Sequence, residues 1–137
     1  MDDVRLLGVN ALLRLAIDVR RHIEVVAAGF DLTPPVARIL LLLEEPMRMH
    51  AIAEAAACEP SHVTGLASQL EDSGLARRRA DPDDGRARQL ALTPEGERVR
   101  ARLLPALLTD LPVMARLDDD GVRALLELIG DRPPADA

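Results

Sequence analysis

Apolar residues recur at three- and four-residue spacing along almost the whole chain, and that spacing gives way only once, between Leu75 and Leu92. A chain so patterned folds as packed helices with one small β excursion. The excursion consists of Leu75-Ala76-Arg77-Arg78-Arg79 and Arg88-Gln89-Leu90-Ala91-Leu92, which flank Asp81-Pro82-Asp83-Asp84-Gly85. An Asp-Gly pair shortly after a proline, between two short segments of strand length, predicts a two-stranded hairpin. Its stem is rich in arginine and Arg86 lies near its tip.

The helical parts divide at their own punctuation. One long helix is expected from about Asp3 to Ala28, with Gly29 as its C-cap. Leu6, Leu7, Val9, Leu12, Leu13, Ile17, Val19, Ile23, Val25 and Val26 give it apolar coverage wider than one packing stripe requires, so it meets more than one surface. Thr33-Pro34 opens a second helix as N-cap and first helical residue, and Pro46 stops it. An alanine-rich third helix runs from about His50 to Ala57. After the break at Glu59-Pro60-Ser61, a fourth continues to about Asp72. Val63, Leu66, Ala67 and Leu70 form the buried stripe of this fourth helix. Ser61, His62, Thr64, Gly65, Ser68 and Gln69 form its polar, almost uncharged outer face. Thr93-Pro94 starts a fifth helix, bent or broken at Pro105 and Pro112. Asp118-Asp119-Asp120 opens a last helix that ends at Ile129, and a frayed tail containing Pro133-Pro134 follows.

A small helix, a tight turn, a helix with a polar outer face and then an arginine-bearing hairpin are the parts of a winged helix-turn-helix. The major groove admits one helix, and short polar side chains on its outer face can reach base edges. Ser61, His62, Thr64, Ser68 and Gln69 suit that task. Arg77, Arg78, Arg79, Arg86 and Arg88 suit the phosphate backbone and the narrower minor groove. The net charge of −6 argues against nucleic acid only until it is resolved along the chain. Between Ser61 and Leu104 eight arginines meet seven acids; elsewhere nine arginines meet sixteen. Local charge, and not the sum, sets phosphate attraction. Phe30 is the sole aromatic residue, which removes the stacking platforms on which single-stranded nucleic-acid binding depends.

These residues resemble the MarR family, the multiple-antibiotic-resistance regulators. The resemblance rests on Ile52-Ala53-Glu54, on Val63-Thr64-Gly65-Leu66 and on Leu70-Glu71-Asp72-Ser73-Gly74-Leu75. It extends through the wing signature Arg78-Arg79-Ala80-Asp81-Pro82-Asp83-Asp84-Gly85-Arg86 and through Leu92-Thr93-Pro94-Glu95-Gly96. It implies one domain over residues 1–137, mainly α with a small β-hairpin. The winged helix-turn-helix lobe would span about 34–92, flanked by dimerisation helices at about 3–28 and 94–130. It further implies a homodimer on double-stranded DNA, with the first, fifth and sixth helices interleaved and a small organic effector that shifts the spacing of the lobes. Asp84 and Arg86 take the positions of the aspartate and arginine that act together in the family's wing, the arginine entering the minor groove. Two positions depart from the family: Gly85 replaces the arginine usual between that pair, and Gly65 stands where arginine is common in the recognition helix.

The function expected from this reading is a DNA-binding transcriptional regulator, a repressor that responds to a ligand. The rival is a protein–protein interaction module with degenerate DNA reading, favoured by the acidic balance and the two glycines. No catalytic triad spacing, nucleophile elbow or glycine-rich phosphate loop is present in the sequence, so no enzyme and no cofactor are expected. His22, His50 and His62 lack ligand spacing with Cys58, so no metal is expected either, and Cys58 reads as a small hydrophobe in the turn before the recognition helix. The longest apolar run, Ile39 to Leu43, is far too short to span a membrane. Together with the acidic start and the single cysteine, it leads us to expect a cytoplasmic protein.

Overall fold

The computed structural model describes residues 3–131; the expected frayed tail after Gly130 lies almost wholly outside them. Helices α1 (Val4–Ala28) and α2 (Pro34–Leu42) are followed by strand β1 (Met47–Arg48), then by α3 (Met49–Ala56) and α4 (Pro60–Asp72). Strands β2 (Ala76–Ala80) and β3 (Arg88–Leu92) come next, then α5 (Pro94–Leu108), a short 3-10 helix (Met114–Arg116) and α6 (Asp119–Ile129). The chain forms two compact units: Ile23–Leu107, and the residues up to His22 together with those from Leu108 onward.

The unit Ile23–Leu107 is built on a leucine, isoleucine and alanine core. Ile39, Leu40 and Leu43 from the end of α2, Ile52 from α3, Leu70 from α4, Leu90 from β3 and Leu103 from α5 are fully buried. Each such burial stabilises the fold by about 1.5–3 kcal/mol relative to leaving the side chain in water. Alanines fill the places where helices approach closely: Ala53 and Ala56 on α3, and Ala67 on α4, are buried in the same cluster. Phe30 packs at the edge of this core with the guanidinium of Arg102 5.6 Å from its ring centre. Arg100 donates from Nε to the carbonyl of Leu41 at 3.1 Å, and so satisfies a half-buried carbonyl at the C-terminal end of α2.

The β excursion is a three-stranded antiparallel sheet, ordered β1-β3-β2, where the sequence suggested a two-stranded hairpin. β1 pairs Met47 with Leu90 and Arg48 with Gln89; β2 pairs Arg78 with Leu90 and Arg79 with Gln89. A two-residue strand carries no readable alternation, which is why Met47-Arg48 passes unnoticed in the sequence. The seven residues from Asp81 to Ala87 connect β2 to β3, so Asp84-Gly85 does not close a two-residue turn, and Gly85 is not among the residues of positive φ.

Helix ends show a second difference. Gly29 does not adopt the left-handed conformation; Asp31 does, at φ +57°. Leu32 N–H donates to Ala27 O at 3.0 Å and Asp31 N–H to Ala28 O at 3.1 Å, which is the Schellman pattern with Asp31 at the left-handed position. The same pair of bonds closes α3 around Ala57 (φ +51°), with Cys58 N–H on Ala53 O at 2.9 Å. Gly74 and Gly130 fill the equivalent positions after α4 and α6. Leu32 and Cys58, the residues that follow the left-handed one, pack against the core, and that packing fixes the exit of each helix even where glycine is missing.

α5 passes through Pro105 and ends at Leu108, so Pro105 does not break it. The hydrogen bond that proline cannot donate would have gone to the carbonyl of Ala101, an exposed residue where water substitutes at little cost.

The other unit has a different character. α6 is N-capped by Asp118, whose Oδ1 accepts from Gly121 N–H at 2.8 Å, and none of its residues is buried. In α1, Leu6, Leu7, Leu12, Leu13 and Ile17 are all exposed, Leu12 by 67%; in α6, Leu128 is exposed by 85%. Leucine and isoleucine on helices with such exposure are surfaces prepared to be covered. No helix among the described residues is long and apolar enough to cross a membrane.

Candidate nucleic-acid interface

α3 and α4 are joined by Ala57-Cys58-Glu59. The left-handed Ala57 turns the chain, and Pro60 then takes the first position of α4, where its missing N–H costs nothing. The helix therefore starts one residue before Ser61 and places Ser61 inside its first turn. Val63, Leu66, Ala67 and Leu70 are buried against α2, α3 and the sheet. The opposite face carries the exposed side chains of Ser61, His62, Thr64 and Gln69 around Gly65, with Ser68 half-buried. A Cβ built at Gly65 would meet nothing within 4 Å, so no packing requirement explains a glycine there. Two hydroxyls on this face already donate within the helix, Thr64 Oγ1 to Pro60 O at 3.0 Å and Ser68 Oγ to Thr64 O at 3.1 Å. Each oxygen keeps acceptor capacity.

The sheet presents its arginines in two ways. Successive residues of a strand point to opposite faces, so Arg77 and Arg79 share one face and Arg78 the other. Arg77, Arg79, Arg86 and Arg88 are exposed. The guanidinium groups of Arg77, Arg86 and Arg88 have no partner among the described residues, while Arg79 Nε donates to Gln89 Oε1 across the β2–β3 pair at 3.1 Å. Arg78, anticipated with the other four as a DNA contact, is turned onto α4. Its Nη2 donates to Thr64 O at 2.7 Å and to Ser68 Oγ at 2.8 Å, and its Nη1 pairs with Glu71 Oε1 at 2.7 Å.

The wing loop is shaped by Asp81, which the sequence marks only as part of the turn and of the wing signature. Asp81 is buried, and its Oδ1 accepts from Asp83 N–H at 2.7 Å and Asp84 N–H at 3.3 Å. Its Oδ2 accepts from Arg48 Nε at 2.6 Å, which ties the loop to β1. The Arg48 bond, then that from Asp83 N–H, holds the Asp81 carboxyl below the usual carboxylate range. The same pairing raises Arg48 further. The signal was present locally, because Asp followed two residues later by a free N–H is an Asx-turn pattern. Its partner, 33 residues upstream in a two-residue strand, had no local signature. Asp84 and Arg86 do meet, through the backbone: Asp84 Oδ1 accepts from Arg86 N–H at 3.1 Å and leaves the guanidinium of Arg86 outward.

Behind the wing, Thr93 joins three elements. Its Oγ1 donates to Gly74 O at 2.6 Å and accepts from Gly96 N–H at 3.1 Å, while its N–H donates to Leu75 O at 3.0 Å. Gly96 is buried against this junction, where a Cβ would sit 1.9 Å from Leu75 O. The leucine-threonine-x-x-glycine pattern thus encodes a hydroxyl cap and a close backbone approach. Cys58 is half-buried and its Sγ donates to Ala56 O at 3.4 Å. Among the described residues no three His, Cys, Asp or Glu side chains converge as metal ligands.

The MarR family model matches residues 32–87, which hold the helix-turn-helix and the wing up to the end of its loop. The transcriptional regulator HosA of Escherichia coli O111:H- is 32% identical over 77 residues, and the match spans 55% of this chain and 57% of that protein's length. The fold is similar to that of Sco3205, a MarR family transcriptional regulator from Streptomyces coelicolor solved in complex with DNA. The TM-score is 0.78 at 24% identity, with 100% of this chain and 93% of that one covered. It is similar also to CouR from Rhodococcus jostii RHA1, solved bound to p-coumaroyl-CoA, with a TM-score of 0.79 at 24% identity over 93% of this chain and 90% of that one. The helix-turn-helix of Met49–Asp72 and the wing loop therefore lie in the part that matches the MarR family, and the described helices and three-stranded antiparallel sheet share the fold of Sco3205.

Proposed function

We propose that the chain is a sequence-specific DNA-binding transcriptional regulator, a cytoplasmic, ligand-responsive repressor that acts as a homodimer on a pseudo-palindromic operator in double-stranded DNA. One observation carries the reading. Within the unit Ile23–Leu107, the uncharged polar face of α4 and four outward arginines of the wing, Arg77, Arg79, Arg86 and Arg88, are exposed together. Short polar groups on a groove-sized helix suit base edges, and arginines on a narrow loop suit phosphates and the minor groove. In this reading Ser61, His62, Thr64, Ser68 and Gln69 face the major groove with Gly65 at their centre, and Asp84 fixes the turn that aims Arg86.

The dimer is supported by the exposed leucines of α1 and α6, which a second copy would cover. The residues of about 3–28 and 94–130 supply the dimerisation helices on this reading, and the lobe of about 34–92 the DNA contact. Two recognition helices would lie about one helical turn of DNA apart, roughly 34–36 Å. A small organic effector would release DNA only by binding one lobe spacing more tightly than the other. CouR, whose fold this chain shares, was solved with an acyl-CoA bound.

The test is fluorescence anisotropy of the full chain against duplexes enriched from a random-sequence pool, at two salt concentrations. Binding that weakens with salt but survives excess non-specific DNA is expected, and Arg86→Ala should remove most of it. Failure to enrich any duplex would refute the reading in favour of a module that binds a protein partner through the same fold.

A further inference from the structure

Arg78 stands apart from the other wing arginines. Its side chain is 30% exposed, and its three side-chain contacts all lie on α4. Thr64, Ser68 and Glu71 follow one another at four- and three-residue spacing, so they form one stripe along two turns of the helix. A single planar guanidinium spans that stripe: Nη2 takes the Thr64 carbonyl and the Ser68 hydroxyl, and Nη1 takes the Glu71 carboxylate. The far oxygen of Glu71 accepts from the backbone N–H of Arg78 at 3.5 Å, which adds a second link between the same two residues. Only a rigid fork with donors on both terminal nitrogens makes this set of contacts; a lysine ammonium is a single point.

We infer that Arg78 is a positioning residue that locks the recognition helix to the wing, so that both meet DNA in one register, and that it is not itself a phosphate contact. This inference rests on the DNA-binding reading above. Its physical basis is division of labour within one strand. Alternation sends Arg77 and Arg79 outward, and Arg78 inward to the helix that lies beneath the wing. A recognition helix and a wing that enter neighbouring grooves must keep a fixed mutual angle, and the packing under Arg78 is polar. Without the fork, Ser68, Thr64 O and Glu71 would face one another with no cation between them.

The discriminating variant is Glu71→Gln. Removing an acid near DNA strengthens binding if only charge matters, whereas removing half of a lock weakens it. With the enriched duplex and the full chain, Arg78→Ala and Arg78→Lys should each weaken specific binding on the order of tenfold, the scale of one misplaced base contact. The slope of log affinity against log salt should stay as in the parent, and non-specific binding should change little. Glu71→Gln should weaken specific binding several-fold in the same manner. In DNA-free protein, all three should speed amide hydrogen exchange in α4 and β2, a readout a phosphate contact would not move. The inference is overturned if Arg78→Ala lowers the salt slope by about 1 while Glu71→Gln binds as tightly as the parent or more so. It is overturned equally if Arg78→Ala, folded by circular dichroism, binds unchanged. A parent protein that binds no duplex indicts the DNA-binding reading itself, and is seen before any variant is made.

Discussion

Gly96→Ala places one methyl group where α5 begins, against the backbone that leaves α4. The added Cβ would lie 1.9 Å from Leu75 O, 2.9 Å from its carbonyl carbon and 3.3 Å from its Cα. Ordinary contact begins near 3.4 Å, so the start of α5 must retreat from Leu75 by more than an ångström. The clash is with backbone, and no flexible side chain can swing away. Retreat stretches the Thr93 N–H bond to Leu75 O and the Thr93 Oγ1 bond to Gly74 O, now 3.0 and 2.6 Å. Two hydrogen bonds at about 0.5–1.5 kcal/mol net each, with about 1–3 kcal/mol for overpacking, oppose a helix-propensity gain of about 0.5–1 kcal/mol. The net destabilisation is about 3 kcal/mol, or on the order of 10 °C in melting temperature for a chain of this length. Thermal circular dichroism at one fixed protein concentration measures it, since an oligomer's midpoint moves with concentration. Gly65→Ala is the paired control. Its Cβ meets nothing within 4 Å, so it should stabilise by about 0.5–1 kcal/mol. A Gly96→Ala protein that melts within about 2 °C of the parent, or a Gly65→Ala protein that falls as far, would refute the reasoning.

Three further outcomes are expected. Ala57→Gly should stabilise by about 0.5–1 kcal/mol in urea unfolding, because Ala57 holds φ +51° at the helix-turn-helix corner, a conformation that costs glycine nothing. Asp81→Asn should lower the melting temperature at neutral pH, and the gap from the parent should close in acid. The Asp81 carboxyl is held below the usual carboxylate range by Arg48 and by Asp83 N–H, so its contribution is full above that range and is lost as pH falls through the lowered value. On the proposed dimer, Leu13→Glu, at an exposed apolar position of α1, should halve the particle mass toward that of one 14.9 kDa chain in light scattering without changing helix content.

How much of this was legible depends on how far apart the cooperating groups lie. Local chemistry is written in local sequence. The stripe Val63, Leu66, Ala67 and Leu70 set which face of α4 is buried, Pro34 and Pro94 set where two helices start, and Asp118 capped the sixth. The polar face of the recognition helix followed from the same periodicity, since the residues not needed inside are the ones left outside. Arg86 fell near the wing tip because the chain around it was too polar and too rich in turn-formers to be anything else.

What only the tertiary structure decided were the partnerships across distance. Nothing local marks Met47-Arg48 as a strand; it exists because β3 offers an edge and because Asp81 offers Arg48 a carboxylate. Five arginines in one hairpin look alike in sequence, and Arg78 became different only when α4 supplied Ser68 and Glu71 beneath it. Asp31 and Ala57 took left-handed positions that propensity would give to glycine, a local penalty of about 1–2 kcal/mol that the packing of the half-buried Leu32 and Cys58 against the core offsets. Periodicity and capping act within a turn or two of the chain and can be read along it, whereas ion pairs, strand edges and the packing that pays for backbone strain arise only between segments that folding brings together.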